Sequence, residues 1–581
     1  MSMCSNCELD PRISSRQERA DGSGPGAVVR SPDLPTVFRG GAVYTMDPSR
    51  PWASAIAVRG EDIIAVGSDA EAVSAVGPDA SIVELDGRMV LPGFIEGHVH
   101  PLLGGYFTSG ADLQVPTKDD ALAAVSEYAQ SHRVGTVRGF GWRMDMVGPD
   151  GPHRADLDAI VDDRPVLLFA VDAHSMWVNT ATLDRAGITR DTPDPVPGFS
   201  TFARDAEGEP TGFVLEAPAM LAVIGAVDPL SAGLLTELFT QWAVKAAAAG
   251  ITGLFDAGMP PADGDPHGLA DIYTALEADG QLPFRVVVSH LVKDAPIEGA
   301  VSQAVRLRDR LGTDLVRGGV LKILGDGTLE GHTGYLLEPY TDLPDSIGQS
   351  PFTEDQWHRL IAEADAAGID VHVHSIGDRT TRIALDAIEA AISVNPPRDR
   401  RHTIAHLELV DEADLARFGQ LGVIGQFSAN WLAADPGNAE TTLARCGPQR
   451  YRTIYRPRAL LGGGATIAFG TDWPAASWFS TYKPLDAVET AVTRQSVGRP
   501  DMPVLEPAEE RLDLAEALHA ATLGPARQLR LDHLVGSLVP GKRADLVVLR
   551  ENLFEVPPHR IASTPVDMTM MNGCFTHGGA D

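Results

Sequence analysis

Residues 91–101 read Leu91-Pro92-Gly93-Phe94-Ile95-Glu96-Gly97-His98-Val99-His100-Pro101. An apolar run passes directly into two histidines separated by one residue. On an extended segment, residues two apart point to the same side. His98 and His100 therefore share a face at the end of a strand, and two imidazoles so placed can grip one metal ion. Taken alone, the segment equally describes a pair of surface histidines just beyond a strand.

Other apolar runs end in the same way. Val371-His372-Val373-His374-Ser375-Ile376-Gly377-Asp378, His402-Thr403-Ile404-Ala405-His406 and Phe469-Gly470-Thr471-Asp472-Trp473-Pro474 each place a His or an Asp where a buried strand would emerge. In a (β/α)₈ barrel the active site forms at the C-terminal ends of the strands, from residues of several of them. One site explains all these endings together, whereas packing must explain each separately. His372 shares a face with His374 but lies deeper, and His402 begins its strand; both read as structural. The run Val320-Leu321-Lys322-Ile323-Leu324 carries a lysine inside an apolar strand, which is costly unless paired. An ammonium has no acceptor and cannot ligate a metal; a carbamate made on it by CO₂ could. A salt bridge to Asp326 is the structural alternative.

Working outward, short apolar runs alternate with helical stretches, the signature of βα repeats and a parallel sheet. Eight runs are candidate barrel strands: Val90–Ile95, Ile251–Phe255, Phe284–Ser289, Gly319–Leu324, Ile369–Val373, Thr403–Ala405, Gly422–Gln426 and Thr466–Gly470. The gap between the first two far exceeds one βα unit, so residues 108–225 are expected to be an inserted α+β subdomain over the barrel mouth. Alternating runs at 36–85 and again at 536–573 predict a small composite β-sandwich built from both termini. The expected division is a flexible tail (1–34), a composite β domain (35–91 with 531–581) and an α/β barrel of TIM type (92–530).

The chain has 581 residues, 44% hydrophobic and 22% charged, within the soluble globular range. Its 47 basic and 79 acidic residues give a net charge of −32, which repels phosphate backbones and anionic lipid. A small-molecule substrate is the expected partner, not nucleic acid or a membrane, with a homodimer left open. Four cysteines are too sparse for a disulfide framework. No apolar secretory core opens the chain, and no stretch approaches the ~20 apolar residues of a membrane span, so a cytoplasmic location is expected. Cys4 and Cys7 form a lone CxxC with no second pair near it. No GxxxxGK[ST] loop, GxGxxG turn or GxSxG elbow is present.

The string of motifs resembles the amidohydrolase superfamily, within it amidohydrolase family 3, the YtcJ-like branch that includes N-substituted formamide deformylases. Its markers are LPGFIEGHVH (91–100), DAHSMWVNTATLDRAGI (172–188), KILGDGTLEGHTGYLLEPY (322–340), HVHSIGD (372–378), TIAHLE (403–408), FGTDWP (469–474) and GSLVPGKRADLVVL (536–549). The resemblance implies the barrel and terminal β-sandwich and one or two divalent metals, usually Zn²⁺. It implies His98, His100, Lys322 (carboxylated), His374, His406 and Asp472 as ligands. Asp472 would also move protons, and His406, or a His or Trp of the insertion, is a candidate oxyanion stabiliser. His174, Trp177, His332 and Trp473 are candidate substrate contacts; His332 falls where relatives often carry Ser-Arg, so contact from that loop stays open. The expected reaction is hydrolysis of a C–N bond of an amide or formamide by metal-activated hydroxide. Lactone, carbamate or cyclic imide hydrolysis, isomerisation and decarboxylation are alternatives on the same ligands. A non-catalytic regulatory homologue should lack a ligand, and none is missing.

Overall fold

The computed structural model describes residues 35–148, 151–259, 265–434, 436–476 and 478–579. Cys4, Cys7 and the tail expected over 1–34 lie outside them. Eight parallel strands follow one another around a barrel: Phe94–Val99, Ile251–Asp256, Arg285–Val292, Val316–Leu324, Asp370–Ser375, Thr403–His406, Ile424–Ser428 and Ile467–Gly470. Most are buried along their whole length, as expected of parallel strands covered on both faces. The first and last strands meet beyond their hydrogen-bonded core. Asp472 N donates to His98 O at 2.8 Å and His100 N donates to Trp473 O at 2.9 Å. Gly470 permits this approach, because a Cβ there would lie 2.3 Å from His98 N.

The run Val90–Ile95, expected to be one barrel strand, is two. Met89–Pro92 belongs to another sheet and Phe94–Val99 to the barrel. The chain changes sheets at Gly93, whose N–H donates to Asp545 O at 3.0 Å. An unbroken apolar run hides such a switch, because both strands are fully buried.

Strands from both ends of the chain form one eight-stranded sheet. Its order is Cys574–His577, Val566–Met571, Leu546–Leu549, Met89–Pro92, Thr36–Tyr44, Trp52–Arg59 and Asp62–Gly67, with Ser81–Glu84 also paired to Thr36–Tyr44. Between the first two barrel strands lies a separate six-stranded sheet. It runs Thr201–Arg204, Pro210–Leu215, Ser175–Val178, Val166–Ala170, Val137–Trp142 and Ala111–Asp112. Its two-faced burial reads as the apolar run 165–171 in the sequence. No single described helix is long and apolar enough to cross a membrane. The apolar helices Glu216–Val227 and Ala232–Ala248 are apolar because their faces enter the core around Phe239, Trp242 and Phe284.

A buried ion pair pins the terminal sheet to the barrel. Arg285, at the start of the third barrel strand, donates to Asp545 through Nε (2.8 Å) and Nη2 (3.1 Å), and Nη2 also reaches Asn572 Oδ1 at 2.7 Å. Asp545 in turn accepts from Asn572 N at 2.8 Å. Removing one partner of a buried pair strands the other charge, at a cost of about 3–5 kcal/mol. Arg285→Met is therefore expected to destabilise the protein by about that amount, whereas Arg285→Met with Asp545→Leu should recover much of it. Thermal and denaturant unfolding of both variants measure the difference.

Candidate metal centre at the barrel mouth

The barrel brings the strand-end residues of the sequence into one buried group. His98 Nε2 lies 3.4 Å and His100 Nε2 3.3 Å from Asp472 Oδ1, and His406 Nδ1 lies 3.6 Å from Asp472 Oδ2. Lys322 Nζ lies 3.1 Å from His98 Nε2. The His374 ring sits 4.4 Å, centroid to centroid, from that of His406, with its Nε2 3.3 Å from Gly327 O. His98, His406 and Asp472 each offer a ligand atom within 4.8 Å of the others. All of these side chains are buried except that of His100, which is one-quarter exposed.

Three observations fit this group to a divalent ion. Asp472 Oδ1, His406 Nε2 and His100 Nδ1 are buried atoms without a hydrogen-bond partner, an expensive condition unless something else engages them. Burial first, then neighbouring cationic groups, hold His98, His374 and His406 well below the ordinary imidazole pKa, and the neutral ring is the metal-binding form. His406 and Asp472 both occupy the left-handed region, at φ 73° and 59°. Non-glycine residues held there cost of order 1–3 kcal/mol and cluster at functional sites.

Lys322 is buried and makes no pair with Asp326. The Asp326 carboxylate is filled by four donors: Ile376 N, Gly377 N, Tyr335 N and Thr380 Oγ1. Burial brings the Lys322 ammonium down to about 7, against the opposing pull of Asp472. Behind the ligands, His98 Nδ1 faces Gln426 Oε1 at 3.2 Å and His372 Nε2 at 3.0 Å. Gln528 Nε2 donates to Gly97 O at 2.7 Å and lies 3.4 Å from His372 Nδ1. Glu96 accepts from Thr471 N (2.7 Å) and Thr471 Oγ1 (3.0 Å), which fixes the residue beside Asp472. Ser428 Oγ lies 3.0 Å from His406 Nδ1, and Trp431 stacks on the His406 ring at 5.3 Å. His402 faces the other end of the barrel, accepting from Val371 N at 3.1 Å beside Asp365.

Of the expected substrate contacts, the structure brings His174 to the cluster, its ring 5.1 Å from that of His374. The other three lie elsewhere. Trp177 is buried in the core of the inserted sheet, its indole donating to His153 O at 3.0 Å and its ring against Trp142. Trp473 turns outward and stacks on Trp242 at 5.2 Å; its backbone, not its ring, meets the site. His332 pairs with Asp342 at 3.1 Å and packs on Tyr340. The strand-end rule finds ligands but does not say on which side of a loop an aromatic ring will lie. Gln426, Gln528, Glu96 and Glu216 were not singled out from the sequence. Only Glu96 carried a signal, as a carboxylate inside a fully apolar strand.

Comparison with known proteins agrees with this geometry. The model of the Amidohydrolase family matches residues 81–577. The chain is 31% identical over 526 residues to Protein LONG AFTER FAR-RED 3 of Arabidopsis thaliana, covering 89% of this chain and 87% of that one. It is 26% identical over 555 residues to the N-substituted formamide deformylase of Arthrobacter pascens, covering 92% and 97%. Its fold is similar to the crystal structure of an uncharacterized metal-dependent hydrolase from Pyrococcus horikoshii, with a TM-score of 0.70 and 22% identity over 90% of this chain and 99% of that one.

Hydrogen bonds to the far ring nitrogen orient a metal-ligating histidine, and losing them lowers metal affinity about 10–100-fold. Removing both partners of His98 Nδ1, by Gln426→Leu with His372→Leu, is expected to weaken zinc binding by that factor. Competition with a chromophoric chelator measures it, and unchanged affinity would show that His98 needs neither.

Proposed function

This chain belongs to the amidohydrolase family, and from that premise we propose that it is a metal-dependent hydrolase of a C–N bond in a small amide or formamide. The observation that carries the proposal is the buried cluster of His98, His100, His406 and Asp472 around the unpartnered Asp472 Oδ1. His98, His100, His374, His406 and Asp472 would hold the ion, zinc in the first instance, with Lys322 as a further ligand if carboxylated. A divalent ion bound there polarises a carbonyl and lowers the pKa of water to ~7.

The chain's own residues supply the rest. Asp472 takes a proton from the attacking water on Oδ1 and returns it to the departing nitrogen, so amide and water leave as carboxylic acid and amine. This is general acid–base work by one carboxylate, a role worth typically 10²–10⁴-fold. The buried walls keep other water from competing. The N-substituted formamide deformylase similarity directs the substrate class towards formamides. Lys322, buried beside His98, is the residue whose carboxylation would complete a two-metal site. The net charge of −32 suits a small-molecule enzyme rather than a nucleic-acid or membrane-surface protein.

The test is a screen of N-formyl, N-acyl, carbamate and lactone substrates against zinc-loaded protein. Turnover of N-formyl or N-acyl amines is expected, lost on chelation and restored by zinc; turnover of lactones alone would overturn the C–N assignment. Asp472→Asn should retain most of its zinc and lose about 10²–10⁴ in kcat. Lys322→Ala should lose both metal occupancy and activity, and full retention of both would rule out the carbamate.

A further inference from the structure

The turn after the seventh barrel strand buries polar atoms that no group in the protein answers. The strand ends at Ser428 and runs straight into a single 3₁₀ turn, Ala429–Trp431. That is the C-terminal face, where barrels of this kind build their active sites from loops. Ser428 Oγ lies 3.0 Å from His406 Nδ1, and the Trp431 indole lies over the His406 ring at 5.3 Å and 11°. Two residues of this turn therefore meet the same candidate ligand, and Asn430 stands between them. Among the described residues, Asn430 Nδ2, Asn430 Oδ1 and Trp431 Nε1 are buried atoms without a hydrogen-bond partner.

Unanswered polar atoms are expensive in an interior, and packing alone does not call for them here. Ala429 and Leu432, on either side, are fully buried apolar residues, and the Trp431 ring packs against the barrel core. A leucine at 430 would fill the same turn and leave nothing unsatisfied. Neither side chain requires a protonation state to be chosen. An indole is a donor only, and a carboxamide turned either way presents a donor beside an acceptor. Because Nε1 belongs to the ring that lies over His406, its N–H is beside the metal cluster. The turn thus offers two kinds of N–H donor and one carbonyl acceptor. A group with an acceptor oxygen and an N–H on adjoining atoms satisfies both needs, and a secondary amide is such a group. An ester or lactone has no N–H and would set its own lone pairs against Asn430 Oδ1.

We propose that Asn430 and Trp431 recognise the amide group of the substrate: Asn430 Oδ1 accepts its N–H, and the N–H donors of the turn bind its acyl oxygen. The inference rests on the amide-hydrolase reading and deepens it, because it assigns the preference for a C–N over a C–O bond to two residues. No bond to either side chain forms or breaks. The N–H and C=O of a trans amide point apart, so two residues answer them better than one. A site built to bond a substrate N–H rejects an analogue that lacks it far more strongly than an apolar wall rejects a change of shape.

N-methylmethanesulfonamide and ethyl methyl sulfone test this without turnover: they share a shape, differ by N–H against CH₂, and resist hydrolysis. Their binding is measured by ligand-observed NMR titration on zinc-loaded wild type, Asn430→Leu, Asn430→Asp and Trp431→Phe, with zinc content and Tm alongside. Wild type is expected to prefer the sulfonamide by at least about fivefold, as for one net hydrogen bond. Asn430→Leu should abolish the preference, and Asn430→Asp, which keeps an acceptor, should retain part of it. Trp431→Phe keeps a ring over His406, so it should hold wild-type zinc and weaken both probes alike. On substrates found by the screen, the kcat/KM ratio of an N-acyl amine over the matching ester should fall at least about 10-fold in Asn430→Leu. Equal binding of the two probes to wild type, or no binding of either, overturns the proposal. So does an Asn430→Leu that keeps the preference while only Tm changes, which would give the buried atoms to an ordered water, or a Trp431→Phe that binds both probes as wild type does. A wild type that prefers the sulfonamide but turns over lactones alone would instead overturn the C–N hydrolase reading and leave the recognition by Asn430 standing.

Discussion

A carboxylate buried among imidazoles is the constraint on which this molecule turns. Asp472 lies within 3.6 Å of His98, His100 and His406, and of these groups only His100 is partly open to solvent. Charged and polar groups in a low-dielectric interior are tolerated only when partners are supplied from fixed directions. The eighth strand therefore has to deliver Asp472 with its backbone already set. Gly470 lets that strand approach His98, Glu96 clamps Thr471 by two hydrogen bonds, and Asp472 accepts the left-handed conformation. The seam that closes the barrel and the seam that builds the site are one piece of structure.

That identity explains the weight of support behind the ligands. Gln426 on the seventh strand, His372 on the fifth and Gln528 from a C-terminal helix all converge on His98 or the backbone beside it. Asp326 spends its whole carboxylate on the ends of the loop and strand that carry His374. Each of these groups is buried and would be a liability by itself. Together they hold the first-strand and fifth-strand imidazoles in one orientation, which a site built for a single ion geometry requires. Arg285 and Asp545 do the same at the opposite end, where the terminal sheet meets the barrel.

The candidate ligands were legible in the sequence for a physical reason. A His or Asp at the end of an apolar strand is two-state information: period-2 geometry fixes its face, and the barrel fixes its end. His98, His100, His374, His406 and Asp472 pass that test, and His402, at the start of its strand, does not. The supporting residues were hidden because their partners are remote. Gln528 meets Gly97 across more than four hundred residues, and Glu216 of the insertion meets Thr333 of a barrel loop. The strand boundary at Gly93 was hidden for another reason: burial was continuous through it, so composition did not change where the chain changed sheets. Tryptophans misled in the opposite sense. Trp177 and Trp473 looked like pocket walls but serve as core, as large apolar groups near a site more often do.

The insertion settles how this barrel differs from a bare ligand cage. A six-stranded sheet could cover the mouth with apolar side chains alone, and most of its inward surface is of that kind. At one point it instead buries Glu216, an acid with two partners, one from each side of the boundary between insertion and barrel. Breaking either contact leaves a carboxylate partly unsatisfied, so the two parts cannot separate without a cost that falls on the same residue that holds His174. The packing of the insertion against the barrel loop and the orientation of its imidazole thus rest on one carboxylate. Thr333, which donates to Glu216, lies on the loop that also carries Gly327 to His374.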